Sequence, residues 1–487
     1  MAHIEFLDET MRDGQQSLWG MRMQAGMALP VAPIIDRTGY RVIDLTGSSM
    51  FEVMIRHCQE NPWEGLDLVV EAMPRTRIRA GMRSNASVTF GVTPDALMDV
   101  WMHQLNVHGC RSFWIYDVLF NMDKTHRLAK VAKKFGSEVA GAIMFTLSPV
   151  HTDAYYADKA DKLSECPDID TILLYDTAGV LEKERLSTLV PAIAANSRGK
   201  PIEFHSNNLL GQSAKSYLDA IDLGVSIIHT AVRPMANGPS VPSTEIMVRN
   251  LELLGHTHDL DTSLLPPVAD HFERVGKAAG FLVNQYAEYD VLSIQHQVPG
   301  GMIGTLKAQL AQQDMMDKLE DVFTETAVVR RELGYPGMAT PFSQLVGTQA
   351  VLNIVTGERY SVVPDEVIQY ACKFYGEPAG PIDQDIMDRI MSSPRAAEVS
   401  SNPPPQPSIE DLREQYGTGD DDELILRALL PEADLNRMRA AGPVKKTYPL
   451  LSTPELDQVR RLMTTAQSPV VQVKCSGFEL SLRCGER

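Results

Sequence analysis

Eight short apolar runs punctuate the first part of the chain, each ending in a polar residue and each followed by a longer stretch of helical periodicity. They are Ile4–Asp8, Val42–Thr46, Ile78–Arg83, Ser112–Asp117, Val139–Thr146, Thr171–Asp176, Ile202–His205 and Ser226–Val232. Near-continuous apolar character is what a parallel strand buried on both faces requires. Eight strand–helix units predict an α/β fold, a (β/α)8 TIM barrel, with an open doubly wound sheet as the competing arrangement. In such a barrel the reacting groups sit at the C-terminal ends of the strands. Those ends carry Asp8, Thr46, Arg83, Asp117, Thr146, Asp176 and His205.

Beyond about residue 265 the strand signal fades and amphipathic helices are predicted, among them Met315–Leu333 and Phe342–Thr356. The pattern divides the chain into a barrel over 1–265 and a helical completion over 266–391. A Pro/Ser-rich linker follows over 392–408, with a composition predicted to form neither helix nor sheet. The last part, 409–487, reads as a charged helical segment (Ile409–Met463) and a hairpin turning near Ser476-Gly477, together a tether or docking element.

Length changes this picture little: 487 residues suit one barrel with a helical appendage. The net charge of −18 argues against a nucleic-acid partner, because a phosphate backbone needs a clustered basic surface. Six cysteines without CxxC spacing are expected to be reduced thiols of a cytoplasmic protein, although Cys475 and Cys484 are close enough to approach each other on paired strands. The opening MAHIEFLDET lacks the pattern of a secretory signal, and no run of 18 or more apolar residues predicts a membrane span. No dinucleotide or P-loop fingerprint is present.

Three stretches in order, FLDETMRDGQQS, then QENPWEGLDLVVEAMP with Arg83-Ser84-Asn85, then HQVPGGM…ELGYPGMATPFSQLVGTQAVLNIVTGERY, resemble the carboxyltransferase subunits of biotin-dependent enzymes. These include the oxaloacetate decarboxylase alpha subunit, transcarboxylase 5S and the pyruvate carboxylase B subunit. The resemblance implies transfer of a carboxyl group between carboxybiotin and a small 2-oxo acid-like or amide-like carbonyl compound. It also implies a divalent metal (Mn, Zn or Mg) at the barrel mouth and a homodimer or carboxyltransferase heteromer. The A-M-K-M biotinylation sequence and the glycine-rich signatures of a biotin carboxylase are absent here. Biotin is therefore expected on a separate carrier protein, and the biotin carboxylase on another subunit.

Enolate chemistry needs donors at the developing oxyanion, a clamp for the substrate carboxylate and a proton shuttle. An arginine fork suits the clamp. The resemblance carries over Arg12, Asp13, Gln16, Arg83 and Ser240 as the catalytic group, with Arg12, Gln16, Arg83 and Asp117 binding substrate. A structural pairing of Arg12 with Asp13 is the competing reading, as is helix capping for Asp176. For the metal the resemblance assigns Asp8, His205 and Asn207, with Tyr175 where the family has a carbamylated lysine and Asn207 in place of its second histidine. Asp8 and His205 as a hydrogen-bonded pair without metal is the alternative. The family's shuttle threonine falls on Pro239, which leaves Ser240 or Ser243 to substitute, with Asn237 as a further ligand or donor. His296 and Pro299-Gly300-Gly301 match a family loop, and Trp19 and Tyr175 are candidates for setting substrate choice. Two other functions stay open: a catalytically degenerate scaffold subunit of such a complex, and a biotin-independent lyase or decarboxylase.

Overall fold

The structure, a computed structural model, describes residues 1–86, 91–311, 313–449, 470–475 and 478–483. The eight runs become eight strands: β1 (Glu5–Asp8), β2 (Val42–Gly47), β3 (Arg77–Arg83), β4 (Cys110–Tyr116), β5 (Glu138–Met144), β6 (Thr171–Asp176), β7 (Ile202–Ser206) and β8 (Ile227–Thr230). All neighbours are parallel, and β1 pairs with both β2 and β8. That closure excludes the open sheet.

Burial on both faces explains the strand composition. All seven residues of β5 are buried, which only apolar or paired side chains tolerate. Several of the helices start where the sequence supplies a cap. Asn121 accepts from the Lys124 amide, Thr152 from Tyr155 and Ser243 from Ile246.

The helices after residue 265 form a second apolar core around Val322, Val329, Phe342, Val346 and Tyr370, continuous with Trp114, Met144 and Tyr175 of the barrel. The extension thus covers the C-terminal end of the sheet. From its helix Leu319–Glu332, Arg330 donates to the Thr146 hydroxyl (2.8 Å) and the Leu147 carbonyl (2.7 Å) just after β5. Gly300, first residue of the helix Gly300–Ala311, packs on the loop after β8. A Cβ there would lie 2.2 Å from the Pro239 Cβ. Helix Phe342–Thr356 has the predicted ends, whereas the other predicted helix begins at Leu319 after a short 3-10 turn.

The stretch 392–408 differs from its expectation. Ala396–Ser401 is helical, with Ala396 and Val399 buried in the extension's core. Its prolines stand outside the helix, Pro394 before it and Pro403 onward after it, so AAEVSS keeps its backbone donors and has an apolar residue to bury. Next, the helices Ile409–Tyr416, Asp421–Leu429 and Glu432–Ala441 fold back on the barrel, placing Leu412, Leu424, Ile425, Leu435 and Met438 in its outer core. From residue 450 onward, the rest of the predicted helical segment lies outside the described residues. β9 (Val470–Cys475) and β10 (Phe478–Arg483) pair antiparallel as a hairpin, Phe478 opposite Cys475. The expected turn at Ser476-Gly477, and Cys484, fall outside the described residues. Cys58, Cys110, Cys166 and Cys372 are free thiols. Among the described residues no helix is long and apolar enough to cross a membrane.

Candidate active site at the barrel mouth

Successive residues of a strand face opposite sides, and this parity sorts the polar strand ends into two groups. Asp8, Asp117 and Asp176 face the helix layer. Asp8 accepts from the Thr10 hydroxyl at 2.6 Å, and burial pushes it up to about 7. Asp117 accepts from the Ser84 hydroxyl and the Leu119 amide (2.9 Å), so its place is in the turn after β4. Asp176 accepts from the Leu181 amide (2.9 Å) and Ser206 (3.0 Å), and burial raises it to about 6. These contacts tie Asp176 to the turn after β6, ahead of the helix Lys183–Asn196, whose cap position is Glu182, so Asp176 does not cap that helix. Asp8, placed by the resemblance at the head of the metal set, is not among the groups that meet His205.

The inward residues Arg79, Glu203, His229, Glu9, Arg12 and Asp44 form a buried ionic column. Arg79 grips Glu203 with two nitrogens (2.6 and 3.1 Å). The two ring nitrogens of His229 lie 3.0 Å from Glu203 Oε2 and 2.8 Å from Glu9 Oε1. Glu9 Oε2 in turn meets Arg12 Nη2 at 2.6 Å, and Arg12 Nε donates to Asp44 at 3.1 Å. Although burial disfavours its charge, Arg12 and the two imidazoles hold Glu9 well below the carboxylate range. His229 is raised, because its two carboxylate contacts outweigh burial. Each of its nitrogens thus faces a carboxylate oxygen. The expected pairing of Arg12 with Asp13 is long, 3.9 Å, and Glu9 and Asp44 are the acids that fix Arg12.

At the top of this column sits a small polar cluster. Asp13 Oδ2 accepts from the Asn207 amide (3.0 Å) and the Ser240 hydroxyl (3.1 Å), and its Oδ1 lies 3.9 Å from His205 Nε2. Asn207 also donates to the Pro239 carbonyl at 2.9 Å, so its amide nitrogen is doubly engaged. Gly179 makes this approach possible: it adopts φ +65, and a Cβ there would stand 2.1 Å from the Asn207 carbonyl. Asn208 donates to Asn237 (3.1 Å) and caps the Ser213 amide, so Asn237 orders the loop after β8.

Four rings at the ends of β4, β6 and β7 stack in a row. Tyr116 lies on Trp114 (4.9 Å between centroids), Trp114 on Tyr175 (5.0 Å) and Tyr175 on His205 (3.9 Å), with interplanar angles of 13, 14 and 11°. The row needs a bare backbone on β3, where a Cβ at Gly81 would meet the Trp114 ring at 2.7 Å. Arg12 crosses this row 5.1 Å from the Trp114 centroid and donates from Nη1 to the Tyr175 hydroxyl at 3.2 Å. Burial keeps the Tyr175 hydroxyl well above its ordinary pKa, so the phenol stays protonated.

Arg83 is buried and donates to the hydroxyls of Ser48 (3.4 Å) and Ser49 (3.2 Å). Gln16 is exposed, while its neighbour Gln15 is tied to the Met11 carbonyl and the Met23 amide. Ser243 caps a helix, so of the two Ser240 is the one beside Asp13, whose other oxygen accepts from the Ser17 hydroxyl at 3.3 Å. Trp19 packs on Phe272 and Phe281 and takes no part in the mouth. His296 stacks on Phe323 and accepts from the Val298 amide, and burial lowers it to about 4. Glu9 and His229 escaped notice in the sequence. Their signal was an acid and an imidazole at inward parity in otherwise apolar strand ends.

The residues expected to hold a divalent ion do not fit one. Asp8 faces away, the Tyr175 phenol is a poor ligand while protonated, and the Asn207 amide presents its nitrogen to Asp13. Glu9, His205 and His229 do converge closely enough to hold an ion. Yet Glu9 is paired with Arg12, and both His229 nitrogens are spent on carboxylates.

Residues 294–465 match a family model described as a conserved carboxylase domain. Over 487 residues the chain is 32% identical to the pyruvate carboxylase B subunit of Methanocaldococcus jannaschii, covering 98% of this chain and 84% of that protein. It is 30% identical over 437 residues to the 2-oxoglutarate carboxylase large subunit of Hydrogenobacter thermophilus (88% and 67% covered). To the methylmalonyl-CoA carboxyltransferase 5S subunit of Propionibacterium freudenreichii subsp. shermanii it is 31% identical over 378 residues (77% and 74%). Among solved structures, the carboxyl transferase domain of Rhizobium etli pyruvate carboxylase with oxamate and biotin shares the fold, with TM-score 0.81, 21% identity, and 90% and 78% of the chains covered.

Proposed function

The chain belongs to the carboxyltransferases of biotin-dependent carboxylases, and from that premise we propose that it carboxylates, or reversibly decarboxylates, a small 2-oxo acid-like or amide-like carbonyl compound. Carboxybiotin is the second substrate, charged by a biotin carboxylase. The observation that carries this reading is the convergence of Arg12, Asp13, His205, Asn207 and Ser240 at the covered end of the barrel.

In the carboxylating direction the substrate loses a proton from the carbon next to its carbonyl. The resulting enolate carbon takes the carboxyl group as the carbon–nitrogen bond of carboxybiotin breaks, and the proton ends on the freed ring nitrogen. Ser240, hydrogen-bonded to Asp13 at 3.1 Å, is the hydroxyl placed to relay that proton. Asp13 orients it, and Asn207 orients Asp13. Arg83, held by two serine hydroxyls, supplies the fork for the substrate carboxylate. Arg12 is pinned by Glu9 and Asp44, so only its Nη1 edge faces the mouth, where it serves as a fixed positive charge. Glycine packing at Gly300 and the apolar core around Met302 and Met338 keep bulk water from this end.

The test is reconstitution with a biotin carboxylase, a biotinylated carrier, ATP and bicarbonate. A panel of pyruvate, 2-oxoglutarate, oxaloacetate and urea-like amides should yield one good substrate, and Arg83→Gln should raise its KM sharply. Transfer to no member of the panel would sink the reading in favour of a scaffold subunit. Retro-aldol cleavage without biotin would move it to the lyases.

A further inference from the structure

Resting on that reading of the reaction, we propose that Tyr175 is the oxyanion donor of this carboxyltransferase and that its barrel mouth works without a divalent metal. The Tyr175 hydroxyl and the Nη1 edge of Arg12 together meet the enolate oxygen.

Three observations carry this. First, the groups around His205 are committed elsewhere. Asn207 turns its amide nitrogen to Asp13 (3.0 Å) and to the Pro239 carbonyl (2.9 Å). His229 contacts a carboxylate with each ring nitrogen (2.8 and 3.0 Å), so both are already engaged. Glu9 is closed by Arg12 at 2.6 Å. His205 Nε2 alone is left without a partner, and Asp13 Oδ1, 3.9 Å from it, accepts from the Ser17 hydroxyl at 3.3 Å; the two are too few to hold an ion in a buried site.

Second, a fixed cation already occupies the neighbourhood. Arg12 Nη1 is 3.9 Å from the same Asp13 oxygen and 3.2 Å from the Tyr175 hydroxyl. A dication between His205 and Asp13 would face it across a few ångströms of protein interior, where repulsion is weakly screened.

Third, Tyr175 is preorganised as a donor. Its ring is clamped between Trp114 (5.0 Å) and His205 (3.9 Å), both nearly parallel to it. Its oxygen accepts from Arg12, which polarises the hydroxyl and leaves its own proton for a third group. A donor fixed before the reaction is what stabilises charge that develops only in the transition state. The ionic column below keeps Arg12 in place: Glu9 and Asp44 hold it, and His229, Glu203 and Arg79 hold Glu9.

The experiment has two readouts that do not need turnover. The purified chain is assayed for bound metal and titrated with Mn2+ and Zn2+. It is then titrated with oxalate, a flat dianion shaped like a 2-oxo acid enolate, in chelator-containing buffer. The expected results are substoichiometric metal, no saturable Mn2+ or Zn2+ site that His205→Ala removes, and oxalate binding that survives the chelator. Tyr175→Phe, which keeps the ring stack, should weaken oxalate about tenfold, the loss of one hydrogen bond. In the reconstituted complex it should lower kcat about 100-fold with KM little changed, as for other oxyanion donors. One equivalent of metal lost in His205→Ala, oxalate binding abolished by the chelator, or indifference of oxalate to Tyr175→Phe would each overturn the proposal. Absence of carboxyl transfer to any carbonyl compound would instead count against the functional reading, and the metal and oxalate results would still decide this one.

Discussion

Tyr175 lies flat against the His205 imidazole, with ring centroids 3.9 Å apart and planes 11° apart, and its hydroxyl accepts from Arg12 at 3.2 Å. The pair are register partners on β6 and β7, so the contact is built into the sheet. Tyr175→Lys would put an ammonium beside the Arg12 guanidinium in a buried site. It should destabilise the fold by on the order of 3 kcal/mol, since an uncompensated buried charge is left, as read from urea denaturation. Stability equal to wild type would mean the stack holds little.

Ser240 and Ser243 lie three residues apart in the same loop and should separate cleanly. Ser240 donates to Asp13, whereas Ser243 accepts from the Ile246 amide at a helix start. Ser240→Ala should lower kcat by about 100-fold or more with stability nearly unchanged. Ser243→Ala should cost about 1 kcal/mol of stability and leave kcat close to wild type. The reverse pattern would assign the proton relay to Ser243.

Glu203 is the single carboxylate that both grips Arg79 and touches His229. All three are buried, and the next acid near Arg79 is Glu138 at 3.8 Å. Glu203→Gln should cost on the order of 3–5 kcal/mol. It should also lower the pKa of His229, which NMR of the labelled imidazoles would follow. A neutral result would show that the column relaxes around the loss.

Gly300 and Gly301 offer a matched comparison. A Cβ at Gly300 meets the Pro239 Cβ at 2.2 Å, whereas one at Gly301 meets nothing within 4 Å. Gly300→Ala should push the extension helix off the loop that holds Ser240 and reduce kcat/KM, by up to about 100-fold if the relay shifts by an ångström. Gly301→Ala should be silent. Equal effects would place the cause in helix propensity.

His108 joins the C-terminal helices to the barrel, with Nδ1 2.6 Å from Asp67 and Nε2 3.0 Å from Asp422. Burial works against its charge, but the two carboxylates outweigh it and raise its pKa above the ordinary value. A raised folded-state pKa means its contribution is fully present below the unfolded value of about 6.5. It is lost as pH climbs through the folded value. Amide exchange in Asp421–Leu429 should therefore be better protected near pH 6 than the intrinsic rate predicts at alkaline pH, and His108→Gln should remove the difference. Protection independent of pH in wild type would refute the linkage.

Much of this protein was legible in its sequence. Two-sided burial forces β-branched, nearly continuous apolar runs, so all eight strands could be placed within a residue or two, and the runs sufficed for a parallel α/β fold. Cap residues such as Thr152 and Asn121 mark helix starts because an orphan amide needs a local acceptor. His205 could be singled out because it ends a strand, whereas Arg12, Asp13 and Asn207 were reached only through the resemblance of their motifs to the family's. Which way each strand end faces was another matter. Asp8 and Glu9, adjacent in sequence, point to opposite sides of the sheet, and only closure of the barrel set Glu9 against His229 across the β1–β8 seam. The same holds for Asp176, turned to the helices, and Tyr175, turned to His205. Helix formation at Ala396–Ser401 depended on a core to receive Val399. Periodicity is a local property and survives in one dimension. The pairing of buried charges across a closed barrel is a property of the three-dimensional circuit, and only the tertiary structure decided it.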